Sequence, residues 1–215
     1  MLKEKSLHEV EVLIERYPTL GDMRAQLINA IERLVQCVEK GGKILVCGNG
    51  GSAADSLHIV GELMKSFVLK RRIAPELQAA LKAQWGDQAD YYIENLEGTV
   101  PAISLVNEVS LMTAYSNDKA PDLVFAQQVF GYGRPGDVLL AISTSGNSAN
   151  VLHAARIART LGLEVISMTG EGGGKLKDLS DVLLAVPSRV TYQIQEYHLP
   201  IYHAICLALE AQFFD

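Results

Sequence analysis

The stretch Ile44–Glu62, ILVCGNGGSAADSLHIVGE, decides how the rest of the chain is read. Four apolar residues, Ile44 to Cys47, run into Gly48-Asn49-Gly50-Gly51, and from Ser52 onward the apolar positions take helical spacing. That pattern predicts a buried strand, a glycine turn and a helix. Glycines let backbone N–H groups approach a ligand closely. Ser52 is placed to cap the helix, whose N-terminus offers unpaired donors and the positive end of its dipole. Asn49, Gly50, Gly51 and Ser52 are therefore candidate contacts for a phosphate. Further along, His58 and Glu62 stand four apart and share a helix face, so an acid–base or metal-binding pair sits on the same element.

Before this unit, apolar positions among charges predict a helix over residues 3–17, stopped by Tyr17-Pro18. A second helix from about Asp22 to Lys40 ends at Gly41-Gly42. These two stripes need a surface to cover, and a partner subunit is one economical solution. After it, residues 69–98 break the rhythm and read as a helical insertion, with a helix from Pro75 to Trp85 and another over Gln88–Leu96. Trp85, Tyr91 and Tyr92 are expected to pack that insertion onto the body, because aromatics bury the most area.

Regular alternation then resumes. Strands are expected at Pro101–Val106, Asp137–Ile142, Gly162–Met168 and Val182–Val186. Helices are expected at Glu108–Tyr115, Asp122–Phe130, Ser148–Leu161 and Tyr192–Phe213. Short apolar strands alternating with helices mean an α/β fold, a three-layer sandwich around a roughly five-stranded parallel sheet. At 215 residues and 48% hydrophobic content the chain suits one domain spanning 1–215, with 1–40 as an N-terminal helical pair.

Composition excludes several function classes. A formal charge of −6 argues against a general nucleic-acid binder, and Lys70-Arg71-Arg72 is too short to reverse that. No run approaches the roughly 20 apolar residues of a membrane span, and the opening MLKEKSLHEVEV has no apolar signal core, so a cytoplasmic location is expected. Cys37, Cys47 and Cys206 lack CxxC spacing and read as small core residues.

In open parallel sheets ligands bind beyond the carboxyl ends of the strands. The loop after Ile142 is Ser143-Thr144-Ser145-Gly146-Asn147-Ser148, directly before a helix. A cap and a polar turn would need only one or two of these side chains. With Gly48–Ser52 it makes two neutral, donor-rich loops able to hold one phosphate through hydroxyls, backbone N–H groups and two helix N-termini. The last helix adds Gln195-Glu196-Tyr197-His198-Leu199-Pro200-Ile201-Tyr202-His203 ahead of an apolar run, where His203 must find a partner. Its imidazole, with the carboxylate and amide nearby, suits acid–base chemistry or a divalent metal such as zinc.

Taken together, GNGGSAADSLH followed by Glu62, the Ser116-Asn117-Asp118 triplet, DVLLAISTSGNSANV, the TGEGGG turn and the IQEYH segment resemble the phosphoheptose isomerase branch of the SIS (sugar isomerase) domain family. The likeness covers nearly the whole chain outside 69–98. It implies a flavodoxin-like strand arrangement. The activity implied is aldose–ketose isomerisation of a sugar phosphate, sedoheptulose 7-phosphate to D-glycero-D-manno-heptose 7-phosphate, in a homotetramer with sites between subunits, often with zinc. Carried over by motif, it implies phosphate contacts from Ser52, Ser143, Thr144, Ser145 and Ser148, and a substrate contact from Asp118. His58, Glu62, Gln195 and His203 are the implied metal or acid–base set, with Gln195 also a substrate contact. The chain departs from the branch at Gln193 and Ser66, where arginine is common, and at Pro200.

Isomerisation through a cis-enediol needs a base and an acid on the reacting face, and Glu62 and His203 are the candidates. If both instead bind zinc, the proton carrier lies elsewhere. Gln195 and His203 are eight apart, roughly 12 Å of rise and 80° of turn in a straight helix, which is awkward for one ion unless Pro200 kinks the helix or Gln195 lies in an irregular first turn. Two other classes share these loops: a non-catalytic SIS module binding a sugar phosphate or a protein partner, like the initiator-associating proteins of replication, and a lyase or epimerase acting on amino-sugar phosphates. Glu62 favours an enzyme over the module, and the lyase class predicts no dependence on His58, Glu62 and His203.

Overall fold

The computed structural model describes residues 1–214. Five strands form one parallel sheet: β1 (Ile44–Cys47), β2 (Ala102–Ser104), β3 (Val138–Ile142), β4 (Glu164–Thr169) and β5 (Val182–Ala185), in the order β2-β1-β3-β4-β5. This is the flavodoxin-like order, and its switch point lies between β1 and β3. The register sets Ile44 opposite Ala102 on one side and Val138 on the other, so the ends of β1 and β3 are level and their following loops meet.

The side-chain period of two in a strand divides the core into two halves. Ile44, Val46, Leu140 and Ile166 point into the half covered by α1 (Glu4–Arg16), α2 (Arg24–Glu39), α3 (Gly51–Met64) and α9 (Thr191–Phe214). Leu45, Cys47, Leu139 and Val165 point the other way, under α7 (Val124–Tyr132) and α8 (Ala149–Thr160). Both faces of the sheet are thus dry, which is why its strands read as continuous apolar runs. Each fully buried Leu or Ile contributes roughly 1.5–3 kcal/mol relative to exposure. No helix among the described residues is long and apolar enough to cross a membrane.

Three expectations need correction. The stripes of α1 and α2 find their cover within this chain: Val10 and Leu13 pack with Ile205 and Leu209 of α9, while Leu27, Ile31 and Leu34 join the same half of the core beside β5. No partner subunit is required to bury them. Gly50, with φ 56, occupies the cap position of α3, and Ser52 lies inside the first turn and is buried. The left-handed backbone at that position is open to glycine and strained for a serine, so the cap shifts two residues upstream.

The third correction concerns residues 69–98. They form α4 (Pro75–Trp85) and α5 (Ala89–Asn95), joined by a short 3-10 turn. α4 buries no residue and α5 only Ala89. Tyr91 is 70% exposed and Trp85 49%, and Tyr91 packs edge-on against Tyr92 rather than on the body. The pair of helices is tied on by its base, where Arg72 bridges Glu97 and Gly98 N donates to Arg71 O at 2.9 Å. α6 (Val109–Asp118) completes the helices and lies beside α7.

Candidate active site

The two loops meet beyond the carboxyl ends of β1 and β3. Asn49 and Asn150 exchange two amide hydrogen bonds across the gap, Asn49 Nδ2 to Asn150 Oδ1 at 2.8 Å and Asn150 Nδ2 to Asn49 Oδ1 at 2.9 Å. Ser52 N and Ala53 N turn back onto Asn49 O and Gly50 O, so the amides the turn offers an anion are those of Asn49–Gly51. In the second loop Ser143 Oγ lies 3.0 Å from Ser148 Oγ, and Asn147 N donates to Ser145 Oγ at 3.1 Å. Ser52 and Ser143 are buried at the floor, Thr144 and Ser148 are half-buried, and Asn49 and Ser145 are exposed on the rim.

A third loop props the second from behind. Asn147 donates to Ser145 O at 2.8 Å and accepts from Lys175 N at 3.0 Å, and Gly170 N donates to Thr144 O at 2.9 Å. Gly146, at φ 64, approaches so closely that a Cβ there would fall on Gly173 O. Gly51 likewise leaves room that the Gln195 amide fills. The result is a fixed cradle of hydroxyls and amides facing the N-termini of α3 and α8, where an anion gains both hydrogen bonds and dipole.

Two turns along α3, a second cluster forms against α9. His58 Nε2 lies 3.2 Å from Glu62 Oε1, and His58 Nδ1 lies 2.9 Å from Tyr202 Oη. Tyr202 Oη thus stands between His58 Nδ1 and the Asp55 carboxylate, to which its O–H donates. The His203 ring stacks edge-on against His58, with centroids 5.1 Å apart, and against Tyr202 at 5.0 Å. Asp55 completes the chain, its Oδ1 3.5 Å from Tyr202 Oη.

This cluster, unlike the cradle, holds unpaired polar atoms: Asp55 Oδ2 and His203 Nε2 are buried without a partner. Burial pushes the His203 pKa down, reinforced by His58 and Arg16 and opposed by Glu62, so the neutral imidazole is favoured. Burial pushes Asp55 up against the pull of Tyr202 and His58. The Tyr202 phenol is pushed up by burial and by the Asp55 carboxylate. A cavity of about 300 Å³ between α1 and α9, lined by Val12, Leu13, Arg16, Tyr17, Pro200 and His203, lies on the His203 side of the cluster and does not include the loops.

The sequence-derived residues thus fall into three places. Asn49, Gly50, Gly51, Ser52, Ser143, Thr144, Ser145 and Ser148 are in the cradle, and Gln195 reaches it too, against Gly51. His58, Glu62 and His203 are in the cluster. Asp118 joins neither: it ends α6, exposed, and accepts from Asn117 Nδ2 at 2.9 Å. α9 runs as one helix through Pro200, so the separation expected of a straight helix holds, and Gln195 stands about two turns before His203. Among the described residues no three His, Cys, Asp or Glu side chains form a group able to hold a metal ion. As placed, the implied set does not gather on one ion, because Gln195 stands about two turns from His203 and His58 Nδ1 is engaged by Tyr202.

Asp55, Tyr202 and Asn150 were not singled out by sequence. Asp55 stands three before His58 on one helix face, a spacing that carries the signal. Tyr202 and Asn150 give none, since their roles exist only across elements. Ser66, at the position where arginine is common, binds Glu97 through Oγ to Oε1 at 2.7 Å and N to Oε2 at 2.8 Å.

The comparisons with known proteins agree with this architecture. The chain matches the family described as SIS domain over residues 8–118 and 99–170. It is 39% identical over 210 residues to a phosphoheptose isomerase of Roseiflexus sp., covering 97% of this chain and 93% of that protein. A phosphoheptose isomerase of Helicobacter pylori is 37% identical over 213 residues, covering 99% and 96%. Among solved structures, a phosphoheptose isomerase from Neisseria gonorrhoeae superposes with a TM-score of 0.73 at 35% identity over 95% of each chain, and one from Francisella tularensis with 0.73 at 32% over 94% of each. The chain therefore belongs to the SIS domain family, in the branch of the phosphoheptose isomerases.

Proposed function

We propose that the protein is an aldose–ketose isomerase acting on a sugar phosphate, converting sedoheptulose 7-phosphate to D-glycero-D-manno-heptose 7-phosphate. The observation that carries this is the shared helix α3: its first turn borders the cradle, and His58 and Glu62 follow on its later turns. From Ser52 to His58 is roughly 9 Å of helix, a span suited to an extended sugar whose phosphate is at one end and carbonyl at the other.

In this mechanism the cradle and Gln195 hold the phosphate end, and Glu62 takes the proton from C1. The C1–H pair becomes the C1=C2 bond, and the ketone oxygen at C2 takes a proton from His203 to give the enediol. Glu62, its acid proton exchanged with solvent while the enediol is bound, protonates C2 while the O1–H proton passes to His203, leaving the C1 aldehyde and restoring both groups. His58 lies against the Glu62 carboxylate and helps hold it in place, and Tyr202 anchors the His58 ring at Nδ1. The suppressed pKa of His203 supports a neutral imidazole in this exchange. Zinc belongs to the same proposal only in part: His58, Glu62 and His203 carry donors of the type zinc takes, but they do not converge, and every step above is carried by the chain itself.

A single SIS domain over 1–215, with 69–98 as an insertion, fits the two core halves sharing one sheet. A homotetramer with sites between subunits fits the exposure of Leu57 and Met64 on α3, beside His58. A cytoplasmic setting fits three free, buried thiols. The test is an NMR assay over a panel of C5 to C7 ketose phosphates, with chelator or with added zinc. Aldose formation from the seven-carbon ketose supports the proposal; no turnover of any of them under either condition overturns it.

A further inference from the structure

Arg71 belongs to the basic triplet that composition dismisses, yet it is the largest fully buried side chain of the molecule. Its Nε donates to Glu210 Oε1 at 2.7 Å, its NH1 to Leu63 O at 2.8 Å and its NH2 to Glu62 O at 2.9 Å. The two side chains are 0% and 1% exposed. Glu210 in turn accepts the backbone N–H groups of Phe67, Val68 and Leu69 at 2.8, 2.9 and 3.0 Å. Burial alone would raise its pKa, but those three amides and Arg71 hold the carboxyl below its ordinary value.

The arrangement answers a local need. α3 ends at Met64, and its cap residue Lys65 is extended, with φ −143, and makes no closing backbone bond. The last carbonyls of a helix lack intrahelical partners; here the guanidinium takes two of them, sharing Leu63 O with Val100 N at 2.9 Å. The carbonyls it takes are those of Glu62 and the next residue. On the other side, Glu210 stands seven residues after His203, two turns along the same face of α9. One guanidinium therefore joins the backbone of the base to the helix that bears the acid. Buried ion pairs add little net stability compared with apolar replacements, so geometry is the better reason for one.

We propose that the Arg71–Glu210 pair is a positioning device for Glu62, setting the register of the last turn of α3 against α9 and so the placement of the Glu62 carboxylate relative to His203. Arg71 touches no substrate in this account; it acts through the Glu62 backbone, and the proposal rests on Glu62 being the base proposed above.

The test compares the full-length wild type with Arg71→Lys, which keeps the buried charge but not the fork to two carbonyls, and with the neutral double variant Arg71→Met/Glu210→Met, which leaves no unpaired charge. Thermal melts report folding, calorimetry with sedoheptulose 7-phosphate reports binding stoichiometry and Kd, and steady-state rates are taken per binding site. The expected result is a fall in kcat of about 10- to 100-fold, in keeping with the cost of misplacing a catalytic group by an ångström, with KM, Kd and stoichiometry within about threefold. A cooperative melt with kcat within threefold of wild type in either variant overturns the proposal. So does a rise in KM without a fall in kcat, or loss of the cooperative melt in both variants, which would assign the pair to folding alone. A wild type without turnover strikes the isomerase reading instead.

Discussion

The cradle borders the first turn of one helix, the cluster lies along the turns that follow, and the two are built by opposite means. In the cradle nearly every polar group is spoken for: Asn49 and Asn150 bind each other, Ser143 meets Ser148, and Asn147 closes the turn on Ser145 and Lys175. In the cluster, Asp55 Oδ2 and His203 Nε2 are buried and unpaired, and two rings are held edge-on around His58. Buried unpaired polar atoms are costly. The difference teaches that binding and chemistry are separable here: a preorganised neutral cradle can hold an anion unaided, while the cluster holds its titratable groups in tension.

The sharpest way to break that separation is Glu62→Gln. Loss of the base should lower kcat by at least about 10³-fold, within the range of general acid–base catalysis, while Kd for the sugar phosphate, measured by calorimetry, changes by less than about threefold. A parallel loss of binding would join the two regions into one.

Gly146→Ala attacks the other end. The new Cβ would fall on Gly173 O in a left-handed backbone, so the Ser143–Ser148 loop must move away from its prop. Phosphate affinity should weaken about 30- to 100-fold, with kcat at saturation within about threefold. Equal losses in both parameters would contradict separability.

The cradle's support also carries a pH signature. His198 is 0% exposed and packs below the Gly170 turn, with Nε2 3.3 Å from Thr169 O, and burial lowers its pKa from 6.5 to about 4. The unfolded chain therefore binds a proton between those values that the folded chain does not. Stability from this group is full above pH 6.5 and falls as the pH drops towards 4, by roughly 3 kcal/mol. Chemical denaturation at pH 7, 5.5 and 4 should show the loss, and His198→Gln should flatten it.

The mildest change is Tyr202→Phe. Removing the hydroxyl frees His58 Nδ1 and so loosens the ring beside Glu62. A kcat lower by about tenfold at unchanged KM is expected from steady-state rates, on the scale of one hydrogen bond. An unchanged kcat would show that Glu62 needs no such support.

The cradle was legible in the sequence because its chemistry is local. Gly48–Gly51 and Ser143–Ser148 are contiguous, and each follows an apolar strand whose end fixes where the loop must go. The parallel sheet covered on both faces followed from the same alternation, and the strand order from the family resemblance. The cluster was legible only where helix periodicity carries it, at His58 and Glu62. Tyr202 and Asp55 meet only once α9 lies alongside α3, and nothing in either segment alone announces that contact. Arg71 shows the limit most clearly. In sequence it belongs to an exposed-looking basic run, and only the uncapped end of α3 and the buried Glu210 explain why it turns inward. Trp85, Tyr91 and Tyr92 misled in the opposite sense, because area alone says nothing about whether a surface is available.

The central claim is that Glu62 exchanges protons with C1 and C2, and His203 with the oxygens they bear, at a fixed distance from the cradle. Wild-type protein incubated with sedoheptulose 7-phosphate in D2O tests it most directly, with the C1 and C2 positions followed by NMR. The account predicts that deuterium enters the substrate at C1 and the aldose at C2 as turnover proceeds. Aldose formation with no solvent deuterium at either carbon, over a time in which several turnovers occur, would contradict it.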